Sequence, residues 1–368
     1  MESKLSLYTR EIPLKTPFKT ALRTVESVTD LVLVLNLDGL IGYGSCAPTL
    51  QITGDSEERI IASLKEEILP SFGRALDPTQ PDRFFEHKII SSPSARYMTD
   101  TALYDLAAKG AGQSLMRYLG GPESARLTSD ITISLNEPEV MVRDAVKAIS
   151  MGFRLLKVKV GNDLRKDYER LKAITEAIPS HMSLRIDANQ AWSPSQAITI
   201  MNSYAESGFP IEFVEQPVSA LDLKGLRSVT EQVPYPIMAD ESVFDSSDAK
   251  RIFEEHAADM INIKLSKCGG LGEAVRICEL AKQYEKECMI GCMMEGPFGI
   301  LAAAHLAAAK RVITRVDLDC PMLYEQLEGD FSLDFIGPNI LINGGLGLGI
   351  NDPALDCWKG ERLWEVCL

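Results

Sequence analysis

Histidines and paired cysteines are scarce in this chain of 368 residues, and their scarcity argues against a zinc site. Only four histidines occur, none at a ligand spacing from any of the eight cysteines, and no two cysteines form a Cys-x-x-Cys pair. Residues 1–5 also lack the apolar segment of a secretory signal. We therefore expect free thiols and a cytoplasmic protein.

The chain also lacks an excess of basic residues and any long apolar run. Its 38 lysines and arginines are outnumbered by 52 acidic residues, which gives a net charge of −14. Nucleic acids and anionic membrane surfaces bind basic patches, so neither is expected as a partner. The longest apolar helical segment, residues 298–309, is interrupted by His305 and is too short to cross a bilayer.

The first part of the chain has the pattern of a mixed α+β domain. An apolar strand over residues 29–36 is followed by the turn signal Asp38-Gly39 and a second strand, which predicts a hairpin. Helical periodicity follows over residues 56–68 and 95–110. We assign residues 1–125 to this domain.

From about residue 127, short apolar strands alternate with amphipathic helices. The predicted helices span residues 137–151, 195–207, 221–232, 247–256, 272–287 and 299–309. Alternating β and α units indicate parallel strands with right-handed crossovers, and seven or eight units favour an α/β barrel over an open sheet. We assign residues 126–320 to the barrel and expect the tail, residues 321–368, to return to the first domain.

Charged residues end the apolar strand segments at intervals of 24 to 28 residues. They are Lys159, Asp187, Glu215, Asp240 and Lys264. One strand, one helix and two turns occupy a step of this length. Because a βα barrel gathers the carboxyl ends of its strands around one mouth, we expect the five side chains to converge there.

The three acids of this series predict a metal site. Neighbouring carboxylates repel one another unless a cation lies among them, and oxygen ligands select a hard ion, so Asp187, Glu215 and Asp240 predict bound Mg²⁺. Taken singly, each acid is more readily explained as a helix N-cap or a solvated loop residue. Their positions on consecutive strands favour the shared site.

The lysines predict acid–base chemistry. Lys157 and Lys159 alternate with Val158, so both point to one face of the strand. An interior lysine is costly without a function, and a second ammonium group nearby makes Lys159 a better general base. An edge strand for this pair, or a salt bridge for Lys264, is the structural alternative. With Mg²⁺ to take up negative charge, two opposed amines would move a proton next to a substrate carboxylate.

Motifs around these positions carry a family resemblance over essentially the whole chain. They are Leu-Lys-Val-Lys-Val-Gly at 156–161, Asp-Ala-Asn at 187–189, Glu-Gln-Pro at 215–217, Asp-Glu-Ser at 240–242 and Asn-Ile-Lys at 262–264. They resemble the muconate-lactonizing subgroup of the enolase superfamily, and within it the dipeptide epimerases. The resemblance implies a modified (β/α)7β TIM-like barrel with an α+β capping domain.

The resemblance also implies a role for each charged residue at the barrel mouth. The implied catalytic residues are Lys159, Lys264 and Lys157, and the implied ligands of a Mg²⁺ cofactor are Asp187, Glu215 and Asp240. Lys159 and Lys264 would exchange the α-proton from opposite faces through a metal-stabilised enediolate, with Lys157 supporting Lys159.

The implied substrate is a dipeptide, closest to L-Ala-D/L-Glu, that is epimerised at its C-terminal residue. Asp317 and Asp319 are similar to the Asp-x-Asp that holds the dipeptide ammonium group, and a doubly acidic strand end suits a cation. Residues 17–24 resemble a mobile lid loop, in which Arg23 would pair with the glutamate side chain. The resemblance further implies that the protein takes part in the metabolism of peptides from peptidoglycan.

Three further residues are expected at the substrate. Thr53 lies in residues 48–56, which resemble a second lid loop, and Met294 and Glu295 lie at the specificity end of the barrel. The adjacent Gly296-Pro297-Phe298 departs from the polar Thr-Lys or Ser-Lys-like pair expected of enzymes that act on L-Ala-Glu. This departure weakens the case for glutamate as the epimerised residue.

Several functions stay open at this point. They are epimerisation of other, hydrophobic dipeptides, cycloisomerisation, o-succinylbenzoate synthesis, racemisation of N-acylamino acids, and non-catalytic binding of peptides. Substrates of the cycloisomerase, synthase and racemase alternatives carry no free ammonium group, so Asp317 and Asp319 argue against them. A homo-oligomer is expected.

Overall fold

The computed structural model describes residues 3–72, 79–161, 163–325, 333–350 and 360–368. Parts of the predicted returning tail, residues 326–332 and 351–359, lie outside the described residues. The strands are β1 (Lys4–Lys19), β2 (Thr24–Leu37), β3 (Leu40–Cys46), β4 (Ala125–Thr128), β5 (Ile131–Ile133), β6 (Leu155–Lys159), β7 (Ser183–Asp187), β8 (Ile211–Glu215), β9 (Ile237–Ala239), β10 (Met260–Ile263), β11 (Cys288–Gly291), β12 (Ile313–Asp317), β13 (Leu333–Ile336), β14 (Asn339–Ile342) and β15 (Glu361–Cys367).

The α-helices precede, connect and follow the barrel strands. They are α1 (Leu50–Thr53), α2 (Glu57–Ser63), α3 (Pro93–Gly110), α4 (Leu115–Tyr118), α5 (Pro138–Ser150), α6 (Leu164–Ala177), α7 (Pro194–Glu206), α8 (Leu223–Gln232), α9 (Ser246–Glu254), α10 (Leu265–Cys268), α11 (Leu271–Gln283), α12 (Pro297–Ala309) and α13 (Cys320–Leu323). Helix α11 ends four residues before the predicted position, because Glu285 adopts a left-handed φ of 53° and turns the chain.

An antiparallel sheet in the order β15-β1-β2-β3 forms the centre of the capping domain. Its strand β15 brings the C-terminal end of the chain beside β1. The predicted hairpin joins β2 to β3, and Asp38 and Gly39 have positive φ values of 52° and 96°, as a two-residue type I′ turn requires. Gly44 allows the sheet to approach α3, since a Cβ there would lie 1.9 Å from the Met98 carbonyl oxygen. The domain boundaries assigned from the sequence, at residues 1–125, 126–320 and 321–368, stay predictions.

The cap helices differ from the predictions at two ends. The helix predicted over residues 56–68 is α-helical only as far as Ser63 and continues as a π-helical turn over Leu64–Ile68. Pro70 follows, and it ends the pattern because it has no main-chain N–H to donate. Helix α3 begins before the predicted residue 95, since Ser92 accepts a hydrogen bond from the Ala95 N–H and Pro93 occupies the first helical position.

Eight parallel strands, β5 to β12 in consecutive order, form the barrel. Strands β5 and β12 approach each other where the Asp130 N–H donates to the Val316 carbonyl at 3.2 Å. Helical crossovers follow each of the first seven strands, so the predicted (β/α)7β barrel with an α+β cap is confirmed. Phe213, Met238, Met260 and Met289, on strands β8 to β11, form a separate buried apolar cluster. In a barrel of this kind the mouth at the carboxyl ends of the strands is the place for chemistry.

The cap docks on the barrel through buried acids at the amino ends of two barrel helices. Asp100 of α3 accepts hydrogen bonds from the Leu271 and Gly272 N–H groups at the start of α11, at 2.5 and 3.3 Å. Asp30 of β2 accepts one from the Gly296 N–H before α12, at 3.2 Å. The acid oxygens accept from main-chain N–H groups that have no partner within the helix. Among the described residues, no helix is long and apolar enough to cross a membrane.

The docking contact of Asp30 predicts a pH-dependent stability. Burial, with a smaller contribution from the nearby Glu295 carboxylate, raises the pKa of Asp30 from 3.8 to about 8. A raised pKa means that the stabilisation is complete below pH 3.8 and is lost as the pH rises towards 8. In wild type the free energy of unfolding should fall with pH by at most about 1.4 kcal/mol per pH unit, because one proton is involved. Replacing Asp30 with asparagine should flatten this fall.

Urea unfolding of wild type and Asp30→Asn at pH 5 to 9 measures the effect. The Asp144→Asn variant, a control at a partly exposed ion pair with Arg143, should follow wild type. Parallel curves for Asp30→Asn and wild type would contradict the account of this contact.

Candidate active site

All five charged residues of the series lie at the mouth of the barrel. Lys159, Asp187 and Glu215 are the last residues of β6, β7 and β8, while Asp240 and Lys264 directly follow β9 and β10. Each of these side chains is buried. Strands β6 and β10 are four positions apart in an eight-stranded barrel, so the two lysines lie on opposite walls, and the three acids lie on the strands between them.

Lys157 lies at the centre of an ion network. Its Nζ is 2.7 Å from Glu215 Oε2, 2.7 Å from Asp317 Oδ2 and 3.1 Å from Asp187 Oδ2. Burial opposes charging of this lysine, but the carboxylates outweigh burial and raise the pKa of Lys157 well above its usual value. Lys157 is therefore a fixed positive charge, and its neighbours keep it protonated.

The two outer lysines each pair with one acid. Lys159 Nζ lies 2.5 Å from Asp187 Oδ2, and Lys264 Nζ lies 2.7 Å from Asp240 Oδ2. Burial disfavours the charged form of Lys264, but Asp240 outweighs it and raises the pKa of the lysine above its usual value. Both lysines line one cavity at the barrel mouth, and Lys157 lines it as well.

The three acids differ in their electrostatic surroundings. Burial would raise the pKa of Asp187, but Lys159 and Lys157 reverse this and lower it to about 2. Asp240 is likewise lowered, because Lys264 and Lys267 outweigh its burial. Burial and the neighbouring Asp187 raise the pKa of Glu215 to about 7. An additional cation at the mouth would favour the ionised form of Glu215 most.

The donor set at the mouth fits a hard metal ion. Glu241 Oε2 and Asn189 Oδ1 are buried oxygens that accept no hydrogen bond from any described residue, and they lie beside the strand ends that carry the three carboxylates. All of these candidate donors are oxygens, as Mg²⁺ prefers. In this structure the three carboxylates contact lysine ammonium groups. Within the described ranges, no three acidic, histidine or cysteine side chains are arranged around a common metal position.

Two acids at and just after the end of the last barrel strand face the same cavity. Asp317, the last residue of β12, contacts Lys157, while Asp319 accepts a hydrogen bond from the Thr132 N–H at 2.6 Å. Both line the cavity. Burial and the charge of Asp317 raise the pKa of Asp319 to about 6. The pair adds negative charge to the wall opposite β8.

The loop between β1 and β2 covers the mouth and contributes Arg23. This arginine lines the cavity together with the apolar side chains of Phe18, Leu22 and Ile52. Burial lowers the pKa of its guanidinium group. No carboxylate of the described residues lies within ion-pair distance of it. An anionic group of a ligand would satisfy this partly desolvated cation.

Of the remaining predicted residues, only Met294 lines the cavity. The Thr53 hydroxyl donates to the Thr49 carbonyl at 3.1 Å within α1, and its neighbour Ile52 lines the cavity instead. Glu295 turns away from the mouth and accepts hydrogen bonds from the Tyr97 hydroxyl and the Met293 N–H, both at 2.9 Å. The structure therefore does not bring Thr53 and Glu295 into the cavity.

Residues one to three positions after the predicted metal ligands have no role in the sequence prediction. Asn189 and Glu241 line the cavity and are joined by a hydrogen bond of 3.1 Å. Asn189, Gln190 and Gln216 have positive φ values of 43°, 68° and 35°. Such backbone strain is typical of functional sites. The sequence signal for Asn189, Gln216 and Glu241 is their place in the Asp-Ala-Asn, Glu-Gln-Pro and Asp-Glu-Ser motifs.

The barrel, its cap and the charged mouth define an enzyme of the enolase type. Residues 4–120 match the mandelate racemase / muconate lactonizing enzyme N-terminal domain, and residues 140–351 match the enolase C-terminal domain-like family. The chain belongs to this family, which confirms the resemblance found in the sequence.

Curated relatives include several epimerases. The chain is 45% identical to the L-Ala-D/L-Glu epimerase of Clostridium acetobutylicum, over 92% of this chain and 95% of the relative. It is 42% identical to the hydrophobic dipeptide epimerase of Enterococcus faecalis, over 93% of this chain and 97% of that one. The expected likeness to dipeptide epimerases is thus confirmed, and the similarity extends to enzymes with different dipeptide preferences.

Solved structures agree with this assignment. The substrate-liganded L-Ala-D/L-Glu epimerase from Bacillus subtilis has a TM-score of 0.90 at 39% identity and covers 94% of this chain and 97% of its own. The Enterococcus faecalis dipeptide epimerase, complexed with Mg and L-Leu-L-Tyr, has a TM-score of 0.88 at 38% identity and covers 95% of this chain and 99% of its own.

The three contacts of Lys157 predict a large effect of its removal. In Lys157→Met, buried carboxylates lose their shared counterion, so the free energy of unfolding should fall by about 3–5 kcal/mol. Urea unfolding without added Mg²⁺ measures it. Lys166→Met removes an exposed pair with Glu137 and should cost less than about 1 kcal/mol. Equal, small losses in both variants would contradict the network described.

Proposed function

We propose that the protein is a Mg²⁺-dependent dipeptide epimerase that inverts the C-terminal residue, with L-Ala-D/L-Glu as its substrate. The observation that carries this proposal is the pair of lysines on opposite walls of one cavity, with three carboxylates on the strands between them. Inversion of a carbon centre needs a proton acceptor on one face and a proton donor on the other.

In this proposal Asp187, Glu215 and Asp240 hold Mg²⁺. When bound, the ion would neutralise the additional negative charge that the substrate carboxylate acquires as the α-proton leaves. Support comes from the all-oxygen donor set and from the relatives whose structures contain Mg and a dipeptide. Lys157 would limit repulsion among the three acids, because it contacts two of them.

Lys159 and Lys264 move the proton. One lysine in its neutral form takes the α-proton from one face of the substrate, and the ammonium group of the other returns a proton to the same carbon from the opposite face. Their roles exchange when the reaction runs in reverse. Each lysine contacts an acid that would also hold the metal, so acid–base chemistry and metal binding share the same side chains.

Asp317 and Asp319 would bind the ammonium group of the dipeptide. Both are buried acids that line the cavity, and a cationic ligand group stabilises such a pair. Substrates of cycloisomerases, succinylbenzoate synthases and N-acylamino acid racemases lack this ammonium group. The acid pair therefore favours a dipeptide ligand over the substrates of those other enzymes. This holds whether the protein catalyses a reaction or only binds the peptide.

Arg23 would read the side chain of the epimerised residue. Its guanidinium group suits the carboxylate of glutamate in a bidentate contact.

A second candidate substrate class, hydrophobic dipeptides, is favoured by the apolar lining from Phe18, Leu22, Ile52 and Met294, and by the Enterococcus faecalis relative.

We further infer that the enzyme works in the cytoplasm, as a homo-oligomer, on peptides released from peptidoglycan. Support for a reducing compartment comes from the cysteines, since those in the described ranges are free and most of them are buried. The net charge of −14 supports a small-molecule substrate rather than nucleic acid or an anionic membrane as a partner.

Proton NMR in D₂O tests the two-lysine reaction. Wild type with Mg²⁺ should exchange the α-proton of the glutamate residue in both L-Ala-L-Glu and L-Ala-D-Glu. Lys264→Ala should lower the rate at which the two epimers interconvert by at least about 10²-fold. It should still exchange the α-proton of the one epimer whose α-proton faces Lys159. Exchange of both epimers in Lys264→Ala would contradict the assignment, whereas the surface variant Lys166→Ala should behave as wild type.

Replacement of Arg23 with methionine tests the side-chain contact. For L-Ala-L-Glu we expect kcat/KM to fall about 10- to 100-fold, mainly through KM, because a hydrogen-bonded contact to a charged group contributes about 1.5–3 kcal/mol. Turnover of L-Ala-L-Leu, the internal control, should be unchanged or improved. A larger kcat/KM of wild type for L-Ala-L-Leu than for L-Ala-L-Glu would favour the hydrophobic-dipeptide alternative.

A further inference from the structure

A fourth lysine, Lys267, approaches the barrel mouth from beneath it. Its side chain is buried, and it does not line the cavity. Its Nζ lies 2.6 Å from Asp240 Oδ1 and also donates to the main-chain carbonyl of Asp240. Asp240 is therefore held from two sides, since its other oxygen, Oδ2, contacts Lys264 at 2.7 Å.

The same ammonium group reaches the neighbouring strand. Lys267 Nζ donates to the Asn262 carbonyl of β10 at 3.2 Å. The side-chain amide of Asn262 in turn donates to Glu215 Oε1 at 2.8 Å. One buried charge thus joins the ends of β9 and β10, and through Asn262 it connects to a second proposed metal ligand.

The local structure explains why two lysines three residues apart point in different directions. Lys264 is the N-cap of the one-turn helix α10, and Lys267 lies within that turn. The Lys267 N–H donates to the Lys264 carbonyl at 3.0 Å. This turn leaves Lys264 at the cavity and directs Lys267 to the side of Asp240 that faces away from it.

We propose that Lys267 is a positioning residue for the metal site, which fixes the plane of the Asp240 carboxylate so that Oδ2 faces the mouth. This inference rests on the proposed function, because it takes Asp240 as a Mg²⁺ ligand. Partners that orient metal ligands from behind commonly contribute 10- to 100-fold to metal affinity. Lys267 holds Oδ1 and the main-chain carbonyl of Asp240 and also reaches β10, so without it the carboxylate keeps its Lys264 contact at Oδ2 but can pivot about that contact.

Isothermal titration of Mg²⁺ into the purified protein tests the proposal without a substrate. In Lys267→Met, which keeps the chain length and removes the charge, the Mg²⁺ dissociation constant should rise about 10- to 100-fold. Lys109→Met is the matched control, because Lys109 is also a mostly buried lysine, bound to Asp105 and to the Ile41 carbonyl at 2.8 Å each, but in the cap. It should lower Tm and leave Mg²⁺ affinity unchanged.

Equal Mg²⁺ affinity in wild type and Lys267→Met would overturn the positioning role while leaving the proposed function intact. Failure of wild type itself to bind Mg²⁺ would overturn both. If Lys267→Met does not fold, Lys267→Arg replaces it in the same titration. The guanidinium group retains the charge but cannot reproduce the three contacts, so its dissociation constant should also rise, and an unchanged value would overturn the proposal.

Discussion

Lys157 carries one positive charge to the point where carboxylates from three strands would otherwise repel one another. It contacts Asp187, Glu215 and Asp317 directly, while Lys159 pairs with Asp187, and Lys264 and Lys267 both pair with Asp240. Buried ion pairs of this kind are costly to desolvate, and they persist where geometry and hydrogen bonding are well matched. The barrel and its cap supply that geometry.

The barrel places the charges, and the cap excludes water from them. In a parallel barrel the carboxyl ends of all the strands meet at the mouth. Acids and amines that are more than a hundred residues apart in the chain therefore share one cavity. The β1–β2 loop then adds Phe18, Leu22 and Arg23 above it. The acids Asp30 and Asp100 attach the cap at the amino ends of two barrel helices. In the proposed function, recognition of the side chain would therefore belong to the cap, and proton transfer would belong to the barrel.

Predictions from the sequence succeed where a residue's position follows from strand periodicity. Lys159, Asp187 and Glu215 end strands, as predicted, because an apolar run that stops at a charge marks the carboxyl end of a barrel strand. Lys267 escapes prediction because α10 is a single turn without helical periodicity. The direction of Glu295 depends on Tyr97, a residue nearly 200 positions away, and no local pattern encodes that contact.

A crystal structure of the protein with Mg²⁺ and L-Ala-L-Glu would test the central claim most directly. We expect the ion on Asp187, Glu215 and Asp240, the glutamate α-carbon between the Lys159 and Lys264 amines, and the dipeptide ammonium group against Asp317 and Asp319. An ion bound elsewhere, or a dipeptide whose α-carbon lies within reach of only one of these two lysines, would contradict it.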